Sequence, residues 1–324
     1  MLPEVHGWLR CRTSSAEDWP LRDLVAAKGE TTVSVVLPAR DERETVGEIV
    51  GVILRELAAL VDELVVIDSG STDDTARVAA RAGARVHAQD EILPQLKPLD
   101  GKGEALWKSL AVTSGDVLVF ADADIRKFRA SLIRGVLGPL LADPTVAYAK
   151  GCYDRPLDGA PNGGGRVTEL VARPLINLHW PELAGFVQPL AGEYAGRRSA
   201  LERVPFLTGY GVELGLLIDL LELAGLDGFA QVDLGSREHA PQSTEALGGM
   251  ASQIMLAAWS RLERQGKIRA CHEPSVRLAQ FRRGHDQRHD VLTRDVGIGE
   301  RPPMLTLDAP PVAAFPHGGN GAPA

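Results

Sequence analysis

Between residues 32 and 124, short apolar runs alternate with helical patterns, and three of those runs end in carboxylates. Thr32–Leu37 is rich in β-branched residues and reads as a strand. It leaves through Pro38-Ala39-Arg40-Asp41-Glu42. Glu63–Ile67 is a second strand, left through Asp68-Ser69-Gly70-Ser71-Thr72-Asp73-Asp74, and Arg85–His87 is a short third. Val117–Ala121 is an unbroken apolar run of the kind found in strands buried on both faces, and it ends in Asp122-Ala123-Asp124. Helical patterns fill the intervals: Thr45, as a cap, to about Leu60; Thr72 to Ala82; and from near Lys102 through Trp107. This alternation builds parallel βαβ units with right-handed crossovers. The expected fold is therefore α/β, a mostly parallel sheet flanked by helices. In such a sheet the three acidic loops share one edge, which is where ligands bind.

Two carboxylates spaced i, i+2 at a strand end are costly unless a cation or hydrogen bonds satisfy them. Mg²⁺ is commonly shared between one or two carboxylates and the phosphates of a substrate, so Asp122 and Asp124 are candidates for holding a metal-bound diphosphate. Asp41 and Asp68, on the neighbouring loops, suit ribose hydroxyls or an amide-bearing base edge. No G-x-G-x-x-G follows the first strand, which counts against a nicotinamide dehydrogenase. A formal net charge of −8 argues against nucleic acid as a partner. Cys11, Cys152 and Cys271 are far apart and form no C-x-x-C, so neither a disulfide framework nor a zinc site is expected. The start has no basic segment before an apolar core, and no apolar run reaches the roughly 18 residues of a membrane span. A cytoplasmic enzyme is expected.

Four segments are expected. Residues 1–30 form an N-terminal helical appendage, with Ser14 or Ser15 as cap and Trp19, Leu21, Leu24 and Val25 as its apolar face. Residues 31–150 form an α/β subdomain built on the three acidic loops, and 151–300 a second, less regular subdomain. Residues 301–324, rich in proline and glycine, form a disordered tail. Within the third segment, Val146–Tyr153 and Phe229–Leu234 read as strands, Val212–Ala224 as a strongly apolar helix suited to a dimer interface, and Ser243–Gln265 as a long helix.

The order Pro-Ala-x-Asp-Glu after a strand, then Asp-Ser-Gly-Ser-Thr-Asp-Asp-Thr, then Asp-x-Asp, resembles the nucleotide-diphospho-sugar glycosyltransferases of the GT-A fold. Four later blocks narrow the resemblance: Gly101–Trp107, Gly163–Leu170, Gln188–Tyr194 and Gly209–Glu213. They are similar to the actinobacterial glucosyl-3-phosphoglycerate synthases and the closely related mannosyl-3-phosphoglycerate synthases, over roughly residues 30–300.

The resemblance implies a retaining transfer of a hexosyl group, glucosyl first and mannosyl second, to the C2 hydroxyl of 3-phosphoglycerate. The donor would be UDP-glucose, GDP-glucose or GDP-mannose, the cofactor Mg²⁺ or Mn²⁺, and the assembly a homodimer, with residues 31–150 binding the nucleotide sugar and 151–300 the acceptor and the dimer partner. It implies that Pro38, Ala39, Arg40, Asp41, Glu42 and Ser69 line the nucleoside and that Lys102 sits against the diphosphate or base. Asp122 and Ala123 would contact the ribose or sugar, while Asp124 and His239 would bind the metal. Gly165, Arg166 and Thr168 match the phosphoglycerate pocket, and Glu213 and the Leu190 carbonyl match groups near the reacting sugar. A glycine-rich loop ending in an arginine at a helix start is physically apt for a phosphorylated acid. After His239 the chain departs from the family's more basic continuation, reading Ala240-Pro241-Gln242. The alternatives are a transferase acting on a polyprenyl phosphate, which the Gly163–Thr168 block argues against, and a non-catalytic nucleotide-sugar-binding protein. A nucleotidyltransferase would want glycines after the first strand, and they are not there.

Overall fold

The computed structural model describes residues 1–155, 165–237, 242–283 and 288–307. The chain opens with α1 (Pro3–Cys11), β1 (Thr13–Ser15) and α2 (Leu21–Lys28), followed by β2 (Val33–Ala39), α3 (Val46–Glu56), β3 (Glu63–Asp68), α4 (Thr75–Ala82) and β4 (Arg85–Ala88). It continues through α5 (Lys102–Val112), β5 (Val117–Phe120), α6 (Ser131–Ala142) and β6 (Tyr148–Asp154) to α7 (Arg173–His179), β7 (Tyr194–Arg197), α8 (Arg198–Leu201) and β8 (Phe206–Leu207). Then come α9 (Val212–Ala224), β9 (Phe229–Ser236), α10 (Thr244–Arg264), β10 (Arg277–Arg283), β11 (His289–Asp295) and β12 (Glu300–Arg301).

Eight strands form one sheet in the order β1-β9-β6-β7-β5-β2-β3-β4. The pairs β5–β2, β2–β3 and β3–β4 are parallel, as the alternation requires. β7 is antiparallel to both β5 and β6. The sheet takes strands from both sides of residue 150 and, through β1 on β9, from the N-terminal segment expected to be only helical.

Each strand buries alternate residues on opposite faces. Val33, Val35, Val117 and Val119 pack with α2, α3 and α6. Val36, Leu118 and Phe120 pack with α5, α9 and α10. The expected interface helix, α9, lies within this second core: Val212 to Leu220 are all buried. Its sequence is apolar on every side, and a helix of that kind belongs inside a protein.

Two N-terminal expectations shift. Thr45 makes no side-chain cap at α3; its hydroxyl donates instead to the Ala123 carbonyl at 2.6 Å, tying that helix start to the Asp122–Asp124 loop. Ser15 caps a single 3₁₀ turn at Ala16–Asp18 rather than the longer helix. The tail expected from 301 is packed over its first residues. Arg301 is 7 % exposed and forks onto the buried Glu104 carboxylate with two bonds of 2.7 Å. Trp107 Nε1 donates to the Pro302 carbonyl at 2.8 Å. Residues 308–324 lie outside the described residues. Among the described residues, no helix is long and apolar enough to cross a membrane.

Candidate active site

A cleft of about 1350 Å³ opens over the carboxyl ends of β2 to β5. Its first wall comes from the loops after β2 and β3, which are laced together. Asp41 holds a left-handed backbone, φ 58°, a region aspartate enters more readily than most residues. Its Oδ1 accepts from Thr72 N at 2.7 Å and Thr72 Oγ1 at 3.1 Å, while Asp41 N donates to Ser71 Oγ at 3.0 Å. Glu42 N donates to Thr75 Oγ1 at 2.7 Å. Pro38, Ala39, Arg40, Asp41, Glu42 and Ser69 all line the cleft, as the sequence suggested. Asp68 does not: it braces its own loop, accepting from Ser71 N at 3.3 Å.

The centre of the site is a chain of charges. Lys102, at the start of α5, bridges Asp122 Oδ1 at 2.6 Å and Glu213 Oε1 at 2.8 Å. Glycines allow this approach. A Cβ on Gly101 would sit 2.6 Å from the Gly209 nitrogen, and one on Gly103 would overlap the Leu207 carbonyl. The two glycine-bearing blocks therefore bring Lys102 to Glu213, in the first turn of α9. On the other side, Arg237 Nη2 holds Asp124 Oδ1 at 2.8 Å, Nη1 lies 3.5 Å from Asp122 Oδ2, and the same Nη1 pairs closely with the buried Glu193. Tyr153 OH accepts from Arg237 at 3.2 Å and from Arg155 at 2.7 Å. Gly192 packs directly on Asp122, leaving no room for a side chain there.

These neighbours set opposite protonation tendencies two residues apart. Burial works to raise Asp122, but Lys102 and Arg237 outweigh it and hold the carboxyl well below its usual range. Asp124, whose side chain is 56 % exposed, is raised by desolvation and then by Asp122. Glu42 is pushed up to about 7 by burial and next by Asp124. The mouth of the cleft thus gathers more negative charge than its fixed cations neutralise.

That excess is the test for a metal. Glu42, Asp122 and Asp124 are hard oxygen donors that repel one another, and a divalent cation relieves that repulsion. The residues fit such an ion, although no group of three His, Cys, Asp or Glu side chains stands ready-made among the described residues. His239 lies outside the described residues.

The second wall carries Gly165, Arg166, Thr168, Leu190 and Glu213, all lining the cleft. Gly165 has φ +75° and precedes a helical run that begins at Arg166 and continues into α7. Arg166 Nη2 donates to the Gln242 carbonyl at 2.9 Å, across the cleft rim. The loop bearing Leu190 is fixed from below: Ala191 O accepts from Lys150 Nζ at 2.9 Å. Lys150 is fully buried, and burial pushes its amine down to about 7.

Sequence reasoning passed over Arg237, Glu193, Tyr153 and Arg155. Glu193 sits inside the Gln188–Tyr194 block and Arg237 two residues before His239, so the signal was present and unread. Ala123 lines the cleft and, through its carbonyl, anchors Thr45.

The Glycosyl transferase family 2 model matches residues 34–200. A glucosyl-3-phosphoglycerate synthase of Mycolicibacterium smegmatis is 46 % identical, covering 93 % of this chain and 98 % of the relative. The crystal structure of mannosyl-3-phosphoglycerate synthase from Rubrobacter xylanophilus superposes with a TM-score of 0.87 at 41 % identity, over 93 % of this chain and 98 % of that one. Glucosyl-3-phosphoglycerate synthase from Mycobacterium tuberculosis, in complex with Mn²⁺, UDP-glucose and phosphoglyceric acid, superposes with a TM-score of 0.78 at 43 % identity, over 89 % and 95 %.

Proposed function

This chain belongs to glycosyl transferase family 2, among the glucosyl- and mannosyl-3-phosphoglycerate synthases, and we propose that it transfers a hexosyl group from a nucleotide diphosphate sugar to the C2 hydroxyl of 3-phosphoglycerate. Glucose is the first choice of sugar, on the mycobacterial relatives, and mannose the second, on the Rubrobacter neighbour. The observation that carries the reading is the Lys102 bridge between Asp122 and Glu213, beside the Asp124–Arg237 pair, at the carboxyl edge of a parallel sheet.

The nucleoside lies along the first wall. Asp124, with Asp122 and Glu42 close by, would hold a divalent ion, joined on family grounds by His239. When bound, that ion neutralises charge on the departing diphosphate. Lys102 keeps Asp122 ionised and holds Glu213 in place, so that Glu213 can accept hydrogen bonds from the donor sugar. Arg166, Gly165 and Thr168 receive the phosphate and carboxylate of the acceptor at the start of a helical run, where N–H groups point outward. The Leu190 carbonyl, near the reacting sugar, would accept from the acceptor hydroxyl. The bond from C1 to the diphosphate oxygen breaks, a bond from C1 to the acceptor oxygen forms on the same face, and the hydroxyl proton passes to the diphosphate. Most of the acceleration is positioning and preorganised charge.

A homodimer is part of the reading. The outer face of α10 and the β10–β11 hairpin expose Met255, Trp259, Phe281 and Val291, which supports an interface there instead of at α9. The chemistry of both substrates, charged metabolites made inside cells, supports a cytoplasmic setting.

Release of nucleoside diphosphate tests the function directly. With Mg²⁺ or Mn²⁺ and 3-phosphoglycerate, UDP-glucose, GDP-glucose or GDP-mannose should give release that stops when either metal or acceptor is omitted. Release without acceptor, or none from any donor, removes the assignment.

A further inference from the structure

Gln89 follows β4, three strands along the sheet from the β5 loop that carries Asp122. At ordinary strand spacing that is roughly 14 Å, the reach from a bound diphosphate to the base of a nucleotide lying along the edge. Gln89 is 6 % exposed yet lines the cleft together with Ser69.

Its orientation is fixed by what it touches. Nε2 donates to the Leu99 carbonyl at 3.2 Å. A carbonyl only accepts, so the amide nitrogen must face Leu99 and the amide oxygen must face away. That oxygen lies 2.9 Å from Ser69 Oγ. An amide oxygen also only accepts, so the Ser69 hydroxyl hydrogen points at Gln89. Ser69 then presents only lone pairs to the cleft. Both partners are held in place: Lys108 Nζ, buried, donates to the Gln89 carbonyl at 2.8 Å, and Ser69 N donates to the Ala39 carbonyl at 2.9 Å.

We propose that Gln89 is a positioning residue for donor specificity, holding Ser69 as an obligate acceptor toward the nucleobase. The site then takes bases with an N–H at the centre of their pairing edge, N3–H of uracil or N1–H of guanine. It rejects cytosine and adenine, which carry an unprotonated ring nitrogen at that place. The proposal rests on the donor being a nucleotide sugar.

The sharpest comparison is UDP-glucose against CDP-glucose, which share sugar, ribose and diphosphate. At saturating 3-phosphoglycerate, kcat/KM for UDP-glucose should exceed that for CDP-glucose by roughly 50-fold or more, since a site built to pair with a hydrogen-bonding group rejects the analogue that lacks it. Gln89→Met frees the Ser69 hydroxyl to turn and should shrink the ratio to about fivefold or less, with the acceptor KM unchanged. Gln89→Glu still accepts from Ser69 and should keep a high ratio even at a lower rate. A merely structural role would lower both donors together and leave the ratio alone. Should Gln89→Met fail to fold, Ser69→Ala removes the same acceptor and should collapse the ratio through loss on UDP-glucose. Equal use of the two donors by the wild type, or an unchanged ratio in folded Gln89→Met, overturns this inference and leaves the function standing. No acceptor-dependent release from any donor overturns both.

Discussion

The two walls of the cleft are held by different means. The loops after β2 and β3 are joined by hydrogen bonds between neighbours in the sheet: Asp41 to Thr72, Glu42 to Thr75, Ser69 to Ala39. These are single hydrogen bonds, with Thr75 and Ala39 buried and Asp41 and Thr72 exposed, and each is worth about 1 kcal/mol. The far wall is stapled by buried charges from distant parts of the chain. Arg261 forks onto Asp219 at 2.6 and 3.0 Å, Arg301 forks onto Glu104, and Arg237 pairs through Nη1 with Glu193. Removing one partner of such a pair strands the other without water, which costs far more than the intact pair contributes. The first wall should therefore tolerate losses that the second does not.

Arg301→Met breaks that asymmetry open. Among the described residues, it leaves Glu104, fully buried, with only Lys108 at 3.4 Å. The expected cost is about 3–5 kcal/mol. For a protein of this size that lowers Tm by about 10 °C in a calorimetric scan. Asp41→Ala, on the first wall, should stay within about 1 kcal/mol of the wild type. If the two variants melt together, buried pairing is not what distinguishes the walls.

The same asymmetry explains what could be read from the sequence. The strands from β2 to β5 were legible to within a residue or two, because apolar runs and turn residues are local signals. α9 was located correctly, Val212–Ala224, but assigned to a surface. β7 was missed as a strand: four residues, Tyr194–Arg197, become a central antiparallel strand only by pairing with β5 and β6. Most of the expected site residues line the cleft, since they sit in motifs at strand and helix ends. Their first partners were not. For Lys102, expected against the diphosphate or base, the bonds to Asp122 and Glu213 were not foreseen. Arg237 looks like any loop arginine until the fold places Glu193 against it. Charge pairing over long sequence separation leaves no pattern in the sequence; strand exits do.

A second measurement sharpens the contrast at the substrates. Arg166 belongs to the far wall and, on the proposed function, meets only the acceptor. Arg166→Ala should raise the KM for 3-phosphoglycerate by about 10- to 100-fold, the worth of charge-assisted hydrogen bonds. The donor KM should change by less than about twofold, since well-separated sites act independently. Initial-rate kinetics with each substrate varied in turn separates the two. A matching rise in the donor KM would mean that the Arg166–Gln242 link shapes the whole cleft and that the walls do not act independently.

The smallest effect sits on the first wall itself. Glu42 is raised from its ordinary value, 4.5, to about 7, by burial first and by Asp124 second. Between those pH values the folded state holds a proton that the unfolded chain has released, so the free energy of unfolding falls as pH rises through the window. Above about 7 the loss is complete, and below about 4.5 there is none. Glu42→Gln removes the titrating charge. In metal-free protein its Tm should therefore exceed that of the wild type at pH 8, and the difference should close as pH falls toward 4.5. Glu42 is partly open to solvent, which screens the repulsion, so a gain of only about 1–2 °C is expected. Mn²⁺ at pH 8 should then favour the wild type, whose additional carboxylate attracts the ion. If Glu42→Gln melted lower than the wild type at pH 8 without metal, the Glu42 carboxylate would be paired rather than repelled, and the first wall would be held by charge much as the second is.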